Sequence, residues 1–265
     1  MSKRHIKHTT VGGVRTAIVT EVELINRMIE DCASYRSGKL DQPVTVMDIN
    51  GQGLSMYAQD KNYASTLDSA DIVHADGQFI VWMSNLGSRE PVPERTATTD
   101  LFLVAAKVAA QKGLRVYLLG ATVETVEACA NTLEHNYPGL QIVGYRNGYF
   151  SENEEAEVIA QINACDADIV WVGLGKPKEQ LFTQKFKSQL NCAWIATCGG
   201  CFNFVIGNYP RAPIWMQKAG LEWLHRMATG PRYLVGRYIY TNVHAIGLVI
   251  SKDFLQPLLR TNRKS

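Results

Sequence analysis

The residue with the clearest capacity for chemistry is Asp76, which lies in the segment DIVHADG. A short apolar run before it predicts a buried strand at residues 71–74, and Gly77 after it frees the local backbone. Ligands of open parallel sheets bind beyond the carboxyl ends of the strands, so an aspartate there is placed to act as a general base. An Asx turn is the alternative interpretation of the same Asp-Gly pair.

Glycine-containing loops follow most of the predicted strands, at residues 50–51, 75–77, 120–122, 144–148, 173–178 and 199–200. Glycine allows close backbone approach, and unpaired N–H groups at helix starts attract anions, so these loops could accept a nucleotide diphosphate. No loop matches G-x-G-x-x-G or the Walker pattern, which disfavours a dinucleotide enzyme or a P-loop ATPase. The loops therefore predict a nucleotide site of another kind.

Two patterns that could hold a metal are interpreted as structural. Asp166-Ala167-Asp168 has the D-x-D spacing of metal-binding carboxylates, but it precedes a predicted strand, opposite the ligand edge, and is expected to be a solvated turn. Cys198 and Cys201 form a C-x-x-C with no second pair for zinc. Scattered cysteines are typical of a reducing compartment, so we predict no disulfide, no metal and no other cofactor.

Alternating short apolar runs and amphipathic stretches must position these loops. Strands are predicted at 44–49, 71–74, 114–120, 141–145, 169–173 and 193–197, and helices at 54–68, 99–112, 122–136, 152–164 and 177–190. A hairpin at residues 11–20 leads to a helix beginning near Glu21. The pattern predicts an α/β fold with a Rossmann-like, mostly parallel sheet and flanking helices, and 46% apolar residues are enough for its core.

The C-terminal part differs in charge and texture, so we predict a core at 1–210 and a basic helical appendage at 211–265. The appendage has nine Lys or Arg against two Asp or Glu, a net charge of +7, whereas the whole chain has +2. Residues 214–227 predict one amphipathic helix, and an aromatic and aliphatic stretch follows. Charged and polar side chains interrupt that stretch, which argues against a membrane span.

Tryptophan and tyrosine interleaved with Lys and Arg in the appendage are typical of a helix on an anionic membrane surface, and a helical lid on the core is the alternative. No nucleic-acid partner is predicted. The basic N-terminus has no apolar run behind it, so we expect no secretory signal and a cytoplasmic protein. The sequence leaves a homo-oligomer possible.

Several motifs occur in order along the chain: ADIVHADGQFIVW, EPVPERTATTDLF, VYLLGA, DIVWVGLGKPKEQ, CGGCFNFVIGNYPRAPIWMQKAGLEWLHRM and PRYLVGRY. As a set they resemble the WecG/TagA/CpsF family of bacterial glycosyltransferases. The resemblance implies an inverting, metal-independent transfer of N-acetylmannosamine, a uronic acid or a related sugar from a UDP-sugar. The acceptor would be a polyprenyl-diphosphate-linked glycan of cell-surface or exopolysaccharide biosynthesis, reached from the inner face of the cell membrane.

The resemblance also implies roles for individual residues. Asp76 would be the base, and Arg95 a second catalytic residue. Substrate binding would involve Asp48, Asn50, Gly77, Gly120, Gly173, Gly175, Lys178, Glu179 and Gln180, with Arg226, Arg232 and Arg237 closing over the diphosphate. The family usually reads G-x-P-K-Q-E, whereas here Glu179 precedes Gln180, and Asp48 stands where many members have Thr. A nucleotide-binding oxidoreductase, or a non-catalytic nucleotide-binding subunit of a polysaccharide assembly complex, is the alternative.

Overall fold

The structure, a computed structural model, describes residues 6–230 and 232–255, without the side chains of Tyr233 and Phe254. Its strands are β1 (His8–Val11), β2 (Val14–Ala17), β3 (Val44–Ile49), β4 (Ile72–Ala75), β5 (Arg115–Gly120), β6 (Gln141–Arg146), β7 (Ile169–Gly173) and β8 (Trp194–Thr197). Its helices are α1 (Glu21–Arg36), α2 (Gly51–Gln59), α3 (Lys61–Ser69), α4 (Gln78–Gly87), α5 (Thr98–Lys112), α6 (Val123–Asn136), α7 (Glu155–Ala164), α8 (Lys178–Phe186), α9 (Cys201–Val205), α10 (Ile214–Lys218), α11 (Glu222–Thr229) and α12 (Tyr233–Val249). Short 3₁₀ turns at Glu152–Glu154 and Lys187–Gln189, and a π-helical turn at Ile250–Leu255, complete them.

Six strands form one sheet in the order β4-β3-β8-β7-β5-β6, and β1 and β2 form a separate antiparallel hairpin. The pairs β3–β8, β8–β7, β7–β5 and β5–β6 are parallel. Strands β3, β7 and β8 are buried along their whole length, as expected of parallel strands with continuous apolar sequences. The predicted α/β fold with a mostly parallel sheet and flanking helices is confirmed.

By compactness the chain divides into two units. The first contains the described residues up to 20, residues 48–97 and the described residues from 210 on; the second contains residues 21–47 and 98–209. In the first unit α12 packs against α2. The predicted core at 1–210 and appendage at 211–265 rest on charge and sequence composition, and that division stays a prediction.

In the first unit, two segments that were each predicted as one helix form two helices each. The predicted helix at 54–68 is α2 and α3, because the Asp60 side chain accepts hydrogen bonds from the N–H groups of Asn62 and Tyr63 and starts a new helix. The predicted helix at 214–227 is α10 and α11, which are separated at Gly220. This glycine has a φ of +65°, and a Cβ there would lie 2.7 Å from the Trp82 ring.

In the second unit, the D-x-D turn is more than a solvated turn. Asp168 is fully buried, and its Oδ2 accepts hydrogen bonds from Arg36 Nη2 at 2.6 Å and from the Arg115 backbone N–H at 2.7 Å. Asp166 is exposed and pairs with the Arg115 guanidinium. The expectation for Asp168 was therefore wrong: its carboxylate joins α1 to the start of β5, because a buried carboxylate needs charged and backbone donors around it.

Candidate active site

The first group of predicted site residues surrounds Asp76 in the first unit. Asp76 follows β4, and its backbone N–H donates to Ile49 O, at the end of β3, over 3.0 Å. Asn50 is the N-cap of α2, with Oδ1 accepting from the Gly53 N–H at 3.1 Å. This capping bond turns the Asn50 Nδ2 toward two carboxylates, Asp76 Oδ2 at 3.1 Å and Asp48 Oδ2 at 3.4 Å. The start of α2 thereby orients the predicted base.

Gly77 keeps this group compact. It is the N-cap of α4, and a Cβ added to it would lie 3.3 Å from the Cβ of Asn50. Contacts this short are tight for real side chains, so a larger residue at this position would press on the asparagine that orients Asp76. The Gly77 N–H also points to Ile49 O, at 3.4 Å.

Arg95 and Arg226 share one carboxylate that the sequence did not reveal. Arg95 Nη1 donates to Glu222 Oε2 at 2.9 Å, and Arg226 Nη2 donates to Glu222 Oε1 at 3.1 Å. The Arg95 and Glu222 side chains are only 12% and 14% exposed. Arg95 comes from the segment before α5, whereas both other residues belong to α11, so Glu222 joins two parts of the unit that are far apart in sequence.

Arg226 also connects this pair to Asp76. Burial opposes the charge on Arg226, but Tyr238, Glu222 and Asp76 outweigh it and raise the pKa of the guanidinium above its ordinary value. Tyr238 is also within hydrogen-bonding reach of Arg226. The guanidinium carbon of Arg237 lies 4.9 Å from the centre of the Tyr238 ring. Arg226 is therefore within electrostatic range of Asp76, and Arg237 lies against Tyr238, while Arg232 is exposed just before α12.

The second group of predicted residues lies beyond the strand ends of the second unit. A Cβ on Gly120 would lie 2.2 Å from Gly173 O, and a Cβ on Gly173 would lie 2.9 Å from Gly199 O. The ends of β5, β7 and β8 thus pack backbone against backbone, and the packing itself demands glycine at 120 and 173. Gly175 is different, because it has a φ of +76° and a Cβ there would meet nothing within 4 Å.

Glu179 and Gln180 are both fully buried at the start of α8. Glu179 Oε2 accepts from the backbone N–H groups of Gly175 and Gly199, each at 3.0 Å, and its Oε1 accepts from Gln180 Nε2 at 3.1 Å. Glu179 therefore ties the loop after β7 to the loop after β8. Lys178 is exposed, donates to Gly148 O at 2.9 Å and lies 4.6 Å from the centre of the Phe150 ring.

Two residues of the first group were missed by sequence reasoning, Glu222 and Tyr238. The i, i+4 spacing of Glu222 and Arg226 on an amphipathic helix was the available signal for one contact. The contact between Glu222 and Arg95 joins residues 127 positions apart in the sequence, and no local sequence pattern predicts it.

No helix within residues 6–230 and 232–255 combines the length and the apolar character that a crossing of the bilayer needs. Over the same residues, no group of three or more His, Cys, Asp or Glu side chains could hold a metal ion. The six cysteines are free, and burial first, then the neighbouring Cys201, raises the pKa of the Cys198 thiol. Cys198 and Cys201 are both buried, and the interpretation of the C-x-x-C as packing stays a prediction.

A parallel α/β sheet with oriented carboxylates and guanidiniums beyond its strand ends is typical of enzymes that act on phosphorylated substrates. A match to a known family narrows this class of enzymes. Residues 9–258 match the Glycosyl transferase WecG/TagA/CpsF family, and the chain belongs to this family of glycosyltransferases.

Two relatives share one descriptive name, N-acetylglucosaminyldiphosphoundecaprenol N-acetyl-beta-D-mannosaminyltransferase. The chain is 34% identical to the protein from Bacillus spizizenii over 173 residues, which are 65% of this chain and 66% of that relative. It is 27% identical to the protein from Bacillus subtilis over 221 residues, which are 82% of this chain and 85% of that relative. The family named from the ordered motifs is confirmed.

Proposed function

We propose that this protein transfers N-acetylmannosamine, or a closely related sugar, from a UDP-sugar to N-acetylglucosamine on a polyprenyl diphosphate. The names of both relatives describe this donor sugar and this kind of acceptor. The reaction would serve the synthesis of a cell-surface or exopolysaccharide, with the protein peripheral on the inner face of the cell membrane. The sequence motifs, the fold and the Asp76 group all agree with such a transfer.

In the proposed mechanism Asp76 accepts the proton of an acceptor hydroxyl while that oxygen forms a bond to the anomeric carbon. The bond from the anomeric carbon to the UDP oxygen breaks on the opposite face, so the configuration at this carbon inverts. UDP leaves with the electron pair of that bond. The observation that carries this assignment is the Asn50 amide, which donates to Asp76 Oδ2 at 3.1 Å and orients the carboxylate.

The developing charge on UDP would be met by guanidinium groups, without a metal. Arg95 and Arg226 are already oriented by Glu222, and Arg237 is held against Tyr238. Fixed donors of this kind stabilise a leaving phosphate because they need little reorganisation during the reaction. The loop at residues 173–180, braced by Glu179, is proposed to bind the donor.

A transfer assay with the full chain tests the proposal. The purified protein is given a panel of UDP-sugars and a prenyl-diphosphate-linked N-acetylglucosamine, in the presence of EDTA, and the anomeric configuration of the product is read by NMR. We expect Asp76→Asn to lower kcat by about 10²-fold or more, because a positioned base contributes about 10² to 10⁴. The control is Asp71→Asn, an exposed aspartate just before the same strand, β4.

Undiminished transfer by Asp76→Asn would remove the assigned base. Tight binding of NAD(P) by a protein without affinity for UDP would favour the oxidoreductase alternative, and UDP binding without any transfer would favour a non-catalytic subunit. Loss of transfer in EDTA, restored by a divalent ion, would contradict the metal-independent mechanism.

We also propose that α12 contacts an anionic membrane surface. One side of this helix and of the turn after it carries exposed aliphatic residues that are 36% to 67% exposed, namely Val235, Ile239, Val243, Ile246 and Ile250. Their spacing of three or four positions makes a continuous apolar stripe on a helix. The opposite side packs on α2, and the segment from 211 on has a net charge of +7. An apolar stripe on a basic segment is typical of interfacial helices.

Vesicle sedimentation tests the membrane contact with a matched pair of substitutions. Val243→Asp places a charge in the stripe, whereas Val22→Asp places one on α1 at nearly the same exposure, 67% against 66%. We expect only Val243→Asp to weaken binding to vesicles with anionic lipid. Equal partitioning of both variants would contradict the contact.

A further inference from the structure

Glu222 received no role from the resemblance, and the proposed mechanism involves it only through Arg95 and Arg226. It is the first residue of α11, and each of its two carboxylate oxygens accepts a hydrogen bond from a different arginine, Arg95 or Arg226. Its side chain is nearly buried, at 14% exposure. A carboxylate so placed loses much of its contact with water, so its two arginine partners must compensate its charge.

The backbone around Glu222 is held independently of these arginines. Gly220 adopts the left-handed conformation that ends α10, and it packs against Trp82 and Gln78 of α4 so closely that a Cβ would lie 2.7 Å from the Trp82 ring. Leu221 then caps α11, with Leu224 and His225 donating back to its carbonyl oxygen. The start of α11 therefore packs closely on α4, and from there the Glu222 side chain reaches Arg95.

From this arrangement we propose that Glu222 is a positioning residue, which holds Arg95 and Arg226 as an oriented pair for the UDP diphosphate. Two guanidinium cations near each other repel, and long arginine side chains lose rotamer freedom when they are ordered. A shared carboxylate offsets the repulsion and selects one orientation for each group before the ligand arrives. This inference rests on the proposed function, since it assigns Arg95 and Arg226 to the departing diphosphate.

The opposite role for Glu222 would be that of a competing anion that the diphosphate must displace. The two roles differ in sign. A positioning residue strengthens UDP binding and transfer, whereas a competing anion weakens UDP binding, so its removal would tighten the complex. The burial of Glu222 and its two partners favour positioning, because a displaced carboxylate would lose both of its charged partners at once.

The decisive variant is Glu222→Asp, which keeps the charge but retracts the carboxylate by one methylene, so that it cannot reach both guanidiniums. Glu222→Gln is the second variant, because each arginine bonds to a different oxygen of Glu222 and the substitution replaces one of these oxygens with an NH₂ donor. UDP affinity is measured by calorimetry and transfer by steady-state kinetics, with thermal melts to verify folding. The matched control is Glu94→Gln, an exposed carboxylate beside Arg95.

We expect Glu222→Asp to weaken UDP binding about tenfold and to lower kcat by a similar factor, since each misplaced charged hydrogen bond is worth about that much. In an Arg226→Lys background the same change should have a much smaller effect, as in a double-mutant cycle for residues that act together. A wild-type UDP affinity and kcat in Glu222→Asp, or tighter UDP binding, would overturn the inference.

Failure of the inference and failure of the proposed function are separable. If the wild-type chain transfers no sugar, the proposed function fails, and the UDP affinities alone still decide the role of Glu222. If transfer occurs and depends on Asp76 but is indifferent to Glu222→Asp, the inference fails alone. If Glu222→Gln unfolds, Glu222→Asp, which preserves the charge balance, carries the test.

Discussion

Glu179 allows a quantitative test of how the loop at residues 173–178 is held. Its fully buried carboxylate accepts the Gly175 and Gly199 N–H groups on Oε2, and the Gln180 amide on Oε1. Glu179→Ala removes both oxygens and with them all three hydrogen bonds. Glu179→Gln keeps one oxygen that can take the place of Oε2 and accept both backbone donors, because an amide oxygen has two lone pairs.

The expected costs of these two substitutions differ clearly. In Glu179→Ala two backbone N–H groups lose their acceptor at about 1 to 3 kcal/mol each, and because both glycines are partly accessible to water we expect about 2 to 4 kcal/mol in total. In Glu179→Gln the new amide NH₂ faces Gln180, whose buried Oε1 has no hydrogen-bond partner among the described residues. If the Gln180 amide turns, that oxygen accepts the new donor, so we expect a cost below about 1 kcal/mol.

Urea unfolding of the wild type and both variants measures these free energies. The control is Glu134→Ala, an exposed glutamate on α6, for which a change within about 0.5 kcal/mol is expected. The reasoning is refuted if Glu179→Gln destabilises as much as Glu179→Ala, or if Glu179→Ala unfolds within about 1 kcal/mol of the wild type. The family motif G-x-P-K-Q-E has Gln where this chain has Glu179. A glutamine at this position can accept from the same two backbone N–H groups, so both orders, Gln-Glu and Glu-Gln, can hold the same loop.

Two further predictions concern stability. Gly120→Ala should destabilise the protein by about 3 kcal/mol or more in urea unfolding, because its Cβ would lie 2.2 Å from Gly173 O. The control, Gly38→Ala, places a Cβ in open space and should cost about 1 kcal/mol. Equal costs of the two substitutions would contradict the packing argument. Burial raises the pKa of Asp253 despite the Gly12 N–H that it accepts, so its stabilising contribution is present at low pH and is lost as the pH rises through that raised value. Asp253→Asn should therefore gain stability relative to the wild type as the pH rises above the ordinary aspartate pKa in unfolding titrations, and a difference independent of pH would contradict this sign.

Strands β3, β7 and β8 could be predicted closely because their sequences are buried on both faces. The run at residues 169–173 is apolar throughout, lies between Asp168 and a glycine-rich loop, and is a strand over the predicted residues. The ends of the helices were harder to predict from the sequence. Asp60 appears as a polar position within one long helix, and only its side-chain bonds to the next backbone N–H groups reveal the break.

Helix α4, Gln78–Gly87, was not among the predicted helices. Its sequence QFIVWMSNLG is apolar and partly β-branched for most of its length, so no polar face marks the helical period. In the site, Asp76 and Asn50 could be predicted as neighbours, because both follow strands whose carboxyl ends meet at one edge. The pairing of Arg95 with Glu222 could not, because it depends on how α11 is seated on α4.

In the proposed reaction, the charges near Asp76 explain why arginine rather than lysine is needed. The formal charges of this group sum to zero, because three carboxylates (Asp48, Asp76 and Glu222) stand against three guanidiniums (Arg95, Arg226 and Arg237). A cluster of ions without net charge loses less on leaving water than isolated charges do. An entering diphosphate therefore meets no net positive charge from them and must be stabilised by oriented donors. A planar guanidinium has five N–H donors, so it can hold Glu222 with one edge and a phosphate with another. An ammonium group has its three donors on one nitrogen, so it holds two anions with a less defined orientation than the two edges of a guanidinium.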